Sequence, residues 1–468
     1  MKKKLLIISA ILLIIAAIVI LNSTHVLIGG TLYARNATHI TVSGSPKVQP
    51  ETFTQLEQLI YLDLRTLSLT PEAFEAFSEA LPDCQILWSV PFQGDFYSSD
   101  ITVLTVSTLS DSDIPLLKYF SHLTTLHAEG CRDYDQILAI QTRYPDLEIR
   151  YTVSIGGNEY NSDVSHLTLS NANADELAFL LQYLPALEHV TLEGSLPDAS
   201  LLSSLTEAYP DIDFYWQIDI FGITADVHTT ELDLSGIPVD SVAQVESAVA
   251  YLPALEKVYM MDCGIPDEQM GELNQRHDSV LFVWNVNIGP IVVRTDITAF
   301  GPVQYGYELW DGELENLKYC TELVVLDLGH MRLWEIDFLE GLTKLEYLII
   351  ADTHVWDISP LKNLKKLKYL EMFMTEVRDY SPLLELTALE DLNICFTPGD
   401  PAPLMQMTWL KRLWCGGCFI TNEQMDRLRT SLPDTQIATP FTGSTDQGWR
   451  TGEHYFIMRD LLGMPYLE

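Results

Sequence analysis

The sequence predicts an α/β repeat solenoid, with a parallel sheet on its concave face, short helices and irregular coils on its convex face, and one transmembrane helix ahead of both. Three observations predict it. Leucines recur 22 residues apart at Leu323, Leu345, Leu367 and Leu389, and Leu410 follows 21 residues later. A longer signal recurs in the N-terminal half, where Pro82-Asp83, Pro145-Asp146, Pro210-Asp211 and His277-Asp278 stand 63, 65 and 67 residues apart. Lys2, Lys3 and Lys4 precede an uncharged, largely apolar run from Leu5 to Leu21. A fixed period of this kind marks units that cannot bury their own apolar face and must stack to do so.

Taken in order, the N-terminal run is a targeting segment and stands outside the fold. Extended past Asn22-Ser23-Thr24-His25 by Val26, Leu27 and Ile28, it reaches about the span of a bilayer core. No Ala-x-Ala cleavage pattern follows Leu21, which predicts an uncleaved signal anchor with the lysines cytoplasmic and the rest of the chain outside. Residues 1–28 are therefore assigned to the anchor and residues 29–49 to a linker.

Residues 50–288 are expected to form the long units. After each recurring dipeptide comes an alternating strand, Ile86, Trp88, Val90, Phe92 being the first and Phe282, Trp284, Val286, Ile288 the last. Each long unit supplies three coils, or the Trp-bearing strand is a hairpin insertion; the sequence leaves both open. Patches such as DELAFLLQYLPAL carry the spacing of a half-buried helix. Residues 289–319, richer in Gly, Pro and aromatics, form an irregular seam. Residues 320–440 form the 22-residue coils, and residues 441–468, which have no repeat, form a C-terminal cap over the last coil.

The C-terminal segments LVVLDLGHMRL, LEYLIIADTHV, LKYLEMFMTEV, LEDLNICFTPG and LKRLWCGGCFI share one pattern, L-x-x-L-x-L and then a turn. Pairs such as Leu348 and Ile350, or Leu370 and Met372, alternate inward on a short strand. Asp357-Ile358-Ser359-Pro360-Leu361 is echoed by Asp379-Tyr380-Ser381-Pro382-Leu383, where proline starts the back of the coil. This block resembles the internalin-type leucine-rich repeats of bacterial surface proteins, whose unit reads L-x-x-L-x-L-x-x-N-x-I-x-D-I-x-P-L. The asparagine is replaced here by Met331, Thr353, Thr375, Thr397 and Cys418. With its Trp strands and terminal MRDLLGMPYL, the whole chain resembles large leucine-rich-repeat surface proteins of anaerobic Gram-positive bacteria. The resemblance implies extracellular binding and supplies no reaction.

Composition narrows the function further. A net charge of −38, from 65 acidic and 27 basic residues, repels phosphate backbones and argues against a nucleic-acid partner. Seven cysteines, odd in number and irregular in spacing, make no disulfide framework. In Cys415-Gly-Gly-Cys418, Cys415 takes an inward strand position and Cys418 the turn position, a core arrangement rather than a redox or metal site. The tryptophans of the alternating strands share a face with Ile, Val and Phe and read as core rather than as a sugar-stacking ladder. No H-E-x-x-H, G-x-S-x-G or phosphate-loop pattern occurs. Neither cofactor, metal nor enzyme chemistry is expected, and an exported enzyme would need scattered residues to meet in the 289–319 seam.

The candidate binding residues are the side chains between the inward leucines. Tyr347, Tyr369, Glu371, Phe373, Asn393, Arg412 and Trp414 fall at outward strand positions of consecutive coils. An open concave strip of aromatics beside a few charges is the composition of an interaction hot spot. The expectation is a single-pass, membrane-anchored extracellular protein that binds a protein or glycan partner in adhesion or recognition. Its rival is an envelope spacer without a ligand.

Overall fold

A computed structural model describes residues 2–44, 47–171 and 173–466, and the chain divides into two units, Met1–Trp216 and Gln217–Glu468. In the first unit the expected anchor is helix Lys2–Thr24, with apolar side chains such as Ile11, Leu13 and Ile18 exposed. The helix stops short of the predicted span. Val26, Leu27 and Ile28 instead form strand His25–Ile28, paired antiparallel with Thr31–Ala34, and Val26 and Ile28 are buried. Among the described residues no helix is long and apolar enough to cross a membrane.

Nor are residues 29–49 a linker. They hold the second strand of that hairpin and then His39–Thr41, which opens a parallel trio with Tyr61–Asp63 and Gln85–Leu87. The physical reason is Gly29-Gly30, whose φ values of 55° and 91° make a tight turn that folds the chain back before the apolar run can continue as helix.

The same hairpin recurs as Ser89–Phe92 with Asp95–Ser98, Glu148–Ile155 with Asn158–Asn161, Asp213–Ile220 with Ile223–Asp226, and Asn285–Ile288 with Ile291–Arg294. Gln93-Gly94, Gly156-Gly157 and Phe221-Gly222 all place two consecutive residues at positive φ, the backbone that a two-residue hairpin loop requires. Each long unit thus combines both arrangements the sequence allowed. It supplies three parallel strands, and the third leads into an antiparallel hairpin, as Thr125–Ala128, Glu148–Ile155 and Asn158–Asn161 show. Trp88, Trp216 and Trp284 are buried, Trp88 stacked on Phe74 at 4.2 Å. Away from the core the sheet positions are polar: His166, Thr168 and Ser170 are exposed while Leu167 and Leu169 are buried.

The second unit contains the trio Glu231–Asp233, Lys257–Tyr259 and Leu281–Val283. A seven-stranded parallel sheet follows: Ala299–Phe300, Val325–Asp327, Tyr347–Ile349, Tyr369–Glu371, Asp391–Asn393, Arg412–Trp414 and Gln436–Ala438. The 289–319 segment is more regular than its composition suggests, since Ala299–Phe300 is the first strand of this sheet. In each 22-residue coil the strand returns through a short 3-10 turn, such as Ser359–Asn363 or Ser381–Glu385. Asp357 and Asp379 start those turns by accepting from the backbone N–H and the hydroxyl of Ser359 and Ser381. In one coil Leu345, Leu348, Ile350, Val355, Ile358, Leu361 and Leu364 are each at most 1% exposed, and burying each contributes roughly 2 kcal/mol.

The bend after each strand is left-handed. His330, Asp352, Met374 and Phe396 have φ of 65°, 55°, 54° and 59°, and Gly417 follows at 69°. At the next position the hydroxyls of Thr353, Thr375 and Thr397 donate to the carbonyls of Ile350, Met372 and Ile394 at 2.7, 2.9 and 2.6 Å. The Cys418 thiol donates to the Ile394 carbonyl at 3.0 Å. These short side chains bind carbonyls at the buried end of the strand, that of Ile394 also accepting from the Thr397 N–H at 3.2 Å.

Gly417 should not tolerate a side chain. Its φ is +69°, and a Cβ there would meet the Phe396 ring at 2.2 Å, so Gly417→Ala should cost about 2–3 kcal/mol in urea unfolding. Met374→Gly, at an exposed left-handed position, should stay within about 1 kcal/mol of wild type.

Candidate functional site

The outward face of the seven-stranded sheet is not open. Tyr347, Tyr369, Glu371, Phe373, Asn393 and Trp414 are all buried, and Arg412 is half-buried. What covers them is the C-terminal segment, which crosses the sheet instead of capping the last coil. It comes off the final strand over Gly416, where a Cβ would lie 1.8 Å from the Pro440 carbonyl oxygen. Asn393 Nδ2 then donates to the Ser444 carbonyl at 3.0 Å and Trp414 Nε1 to that of Asp446 at 2.8 Å. Trp449 Nε1 donates to Glu371 Oε1 at 2.6 Å, and Gln304 Nε2 donates to the Leu462 carbonyl at 2.8 Å. The Trp449 ring stacks on Tyr369 at 5.2 Å. Tyr455 and Met458 of helix Glu453–Leu461, with Leu462, close a second apolar core against Val325, Tyr347, Ile349 and Ala351.

The expected open strip is therefore an internal interface. Parallel strands that carry apolar side chains on both faces need cover on both, and the tail supplies the second.

Arg412 pins the tail electrostatically. Its guanidinium is 3.2 Å from Asp391, donates to the Gly448 and Trp449 carbonyls at 2.7 Å each, and lies 4.7 and 4.9 Å from the Trp414 and Trp449 rings. His454 of the tail stands 3.3 Å from the same carboxylate. Burial beneath the tail raises the Glu371 carboxyl above its ordinary 4.5, against the opposing pull of the Tyr369 and Trp449 donors. Burial raises Asp327 likewise, against the Gly329 N–H.

The two sequence features closest to chemistry are held in inert forms. Cys415 is buried and Cys418 half-buried, and desolvation raises both thiols while pushing neighbouring Cys395 up to about 12. A redox cysteine needs the opposite, a stabilised thiolate. Within the second unit a cleft of about 1180 Å³ reaches the seam at Glu315, Lys318 and Tyr319. Burial raises the Tyr319 phenol, and Lys344 in that cleft is paired with Glu322 at 2.6 Å. Among the described residues no group of three or more His, Cys, Asp or Glu is placed to hold a metal ion.

A different surface stands open. Trp310, Trp334 and Trp356 are 55%, 44% and 59% exposed, one in each of three consecutive coils. They sit where the chain leaves the left-handed bend for the back of the coil. There the N–H groups of Arg332, His354 and Glu376 donate to the carbonyls of Leu309, Leu333 and Val355, each at 2.9 Å. This second backbone ladder fixes the flank rigidly. The Trp310 ring packs over Gly312, where a Cβ would be 2.6 Å from it, and Trp334 stacks on His354 at 4.8 Å and 15°. The signal was present in the sequence as Leu309-Trp310-Asp311, Leu333-Trp334-Glu335 and Val355-Trp356-Asp357. Strand positions do not include it, since all three tryptophans lie outside the strands.

No family model and no curated protein matches the chain. Among solved structures it is similar to an internalin of Listeria monocytogenes, 15% identical with a TM-score of 0.26 over 88% of this chain and 91% of that one. A second internalin of that species is 17% identical with a TM-score of 0.26, over 44% and 80%. A leucine-rich-repeat protein of Leptospira interrogans is 15% identical with a TM-score of 0.25, over 85% and 93%. Likenesses this distant leave the fold resting on its own period and ladder.

Two measurements test the covered face. Arg412→Met leaves Asp391 buried with one partner fewer, and should cost about 3 kcal/mol while making the tail cleavable by added protease under native conditions. The second concerns Glu371. Because its carboxyl titrates above 4.5 in the folded protein, the native state holds the proton more tightly than the unfolded chain does. Its contribution to stability is thus fully present below about 4.5 and is lost as pH rises through the raised value. Glu371→Gln, whose amide cannot ionise, should gain stability relative to wild type as pH rises from 4.5, and a pH-independent difference would contradict the assignment.

Proposed function

We propose that the chain is an extracellular recognition protein, held at the cell membrane by its N-terminal helix, that binds a partner protein through the tryptophan flank of its 22-residue coils. One observation carries the reading: three indoles stand exposed in consecutive coils while the neighbouring sheet face is already filled by the tail. Single exposed apolar residues are ordinary, but large aromatics aligned on a rigid backbone are the usual centre of an interface. A ligand-free spacer has no use for them, and solvated charge would serve it better. The lysines ahead of the Leu5–Leu21 run, and the exposed side chains of that helix, support the membrane attachment.

Two experiments test this. On intact cells the repeats should be accessible to added protease while the protein stays in the membrane fraction; a form beginning near His25 and released to the medium would refute the attachment. In native membranes, full-length protein carrying a photo-crosslinking residue at position 335 should capture a discrete partner. Trp334→Ala with Trp356→Ala should abolish the capture with the melting temperature unchanged, and capture of the same partner by that double variant would refute the flank.

A further inference from the structure

We infer that the tryptophan flank recognises a cationic, arginine- or lysine-bearing segment of its partner protein, an inference that rests on the reading above and names the partner's chemistry. Each exposed indole is followed directly by a carboxylate: Asp311 after Trp310, Glu335 after Trp334, and Asp357 after Trp356. Among the described residues none of these three carboxylates forms an ion pair. Arg332 is taken by Glu308 at 2.8 Å and His354 by Glu376 at 3.2 Å. The flank therefore presents three aromatic faces and three carboxylates without a cationic partner, repeated at the roughly 4.8 Å spacing of adjacent parallel strands. Asp311 also accepts hydrogen bonds from the Trp334 and Glu335 N–H groups, and Asp357 from Ser359.

Aromatic face plus carboxylate is the combination that suits a guanidinium or ammonium. The indole quadrupole attracts the cation and is strongest for tryptophan, while the carboxylate adds charge and, for arginine, a geometry that accepts two N–H groups. The flank already holds a planar ring from its own chain. The His354 ring lies flat on Trp334 at 4.8 Å with Glu376 behind it, so a planar nitrogen-bearing group between an indole and a carboxylate is a geometry this backbone supports. A neutral sugar could use the indoles but would leave the three carboxylates without a cationic partner, and an anionic partner would be repelled by them. The net charge of −38 favours any cation weakly and at long range. The paired indole and carboxylate supply the local contact that distinguishes the flank from the rest of that acidic surface.

The test uses the full-length protein in detergent, with a fluorescent hexa-arginine peptide as probe and its hexa-citrulline counterpart, neutral but of the same shape, as control. Wild type should bind hexa-arginine and not hexa-citrulline. Trp334→Ala with Trp356→Ala should weaken binding by about tenfold, and Glu335→Gln by a smaller factor. Glu268→Gln with Glu272→Gln, acidic positions lining the cleft, should leave it unchanged. The inference is overturned if hexa-arginine does not bind, if both peptides bind alike, or if the cleft variant loses as much as the tryptophan variant. It is also overturned if a neutral oligosaccharide such as cellohexaose binds wild type and is lost in the tryptophan variant. Should the arginine probe fail while photo-crosslinked capture of the native partner still depends on Trp334 and Trp356, the flank stands as the interface and only its cationic specificity falls.

Discussion

The C-terminal half is built on one constraint: its parallel sheet carries large apolar side chains on both faces. Leu326, Leu348, Leu370, Leu392 and Leu413 point one way, while Val325, Tyr347, Ile349, Tyr369 and Trp414 point the other, and all are buried. Water against either face would expose a strip of hydrocarbon several strands wide, at about 25 cal/mol per Å². Stacking of coils satisfies the leucine face. Nothing in the coils can satisfy the tyrosine face, so the chain must return across it. The route of the tail follows from this: Gly416 lets the backbone turn off the last strand, Arg412 and Asn393 bind its carbonyls, and the Trp449 indole N–H meets Glu371. Glu371, buried on that face, is tolerable because the Tyr369 and Trp449 donors converge on it.

The sheets of the long units show the alternative. There the outward positions are His166, Thr168 and Ser170 in one strand, or Glu231 and Asp233 in another, and they remain exposed. An antiparallel hairpin closes each trio, and no tail is needed. The same parallel ladder thus has two solutions, and the outward side chains decide which one a given stretch of sequence adopts.

Much of this was legible in the sequence. The 22-residue leucine period located the inward core coil by coil, and the Trp strands of the long units read correctly as core because their indoles share a face with Ile, Val and Phe. The register also placed Cys415 inward and Cys418 at the turn, which is where both lie. Two inferences failed for physical reasons. Counting Val26, Leu27 and Ile28 as helix weighed hydrophobicity alone and passed over Gly29-Gly30, a turn signal that outranks it at that point. Reading Tyr347, Tyr369, Phe373 and Trp414 as open surface assumed that an outward strand position is a solvated one. The contrast between Tyr369 here and Thr168 in the long units was available, and it favoured cover over exposure. The tail gave no periodic cue, because a segment that crosses many strands samples a different neighbour at every step.

Closing the sheet face changes what the coils can offer a partner. The left-handed bend at His330, Asp352, Met374 and Phe396 costs roughly 1–2 kcal/mol at each non-glycine residue, and the bond from Thr353, Thr375 or Thr397 to the carbonyl three residues back returns part of it. That bend delivers the chain to the flank at a fixed angle in every coil, and the ladder from Arg332, His354 and Glu376 to Leu309, Leu333 and Val355 locks it there. A side chain four residues past the bend, as Trp334 is past His330 and Trp356 past Asp352, is therefore held almost as firmly as one on the sheet, yet lies beyond the reach of the tail. Rigid placement lowers the entropy lost when an aromatic is engaged by a partner. With the tyrosine face committed to folding, the tryptophan flank leaves large aromatic surface in consecutive coils both ordered and free.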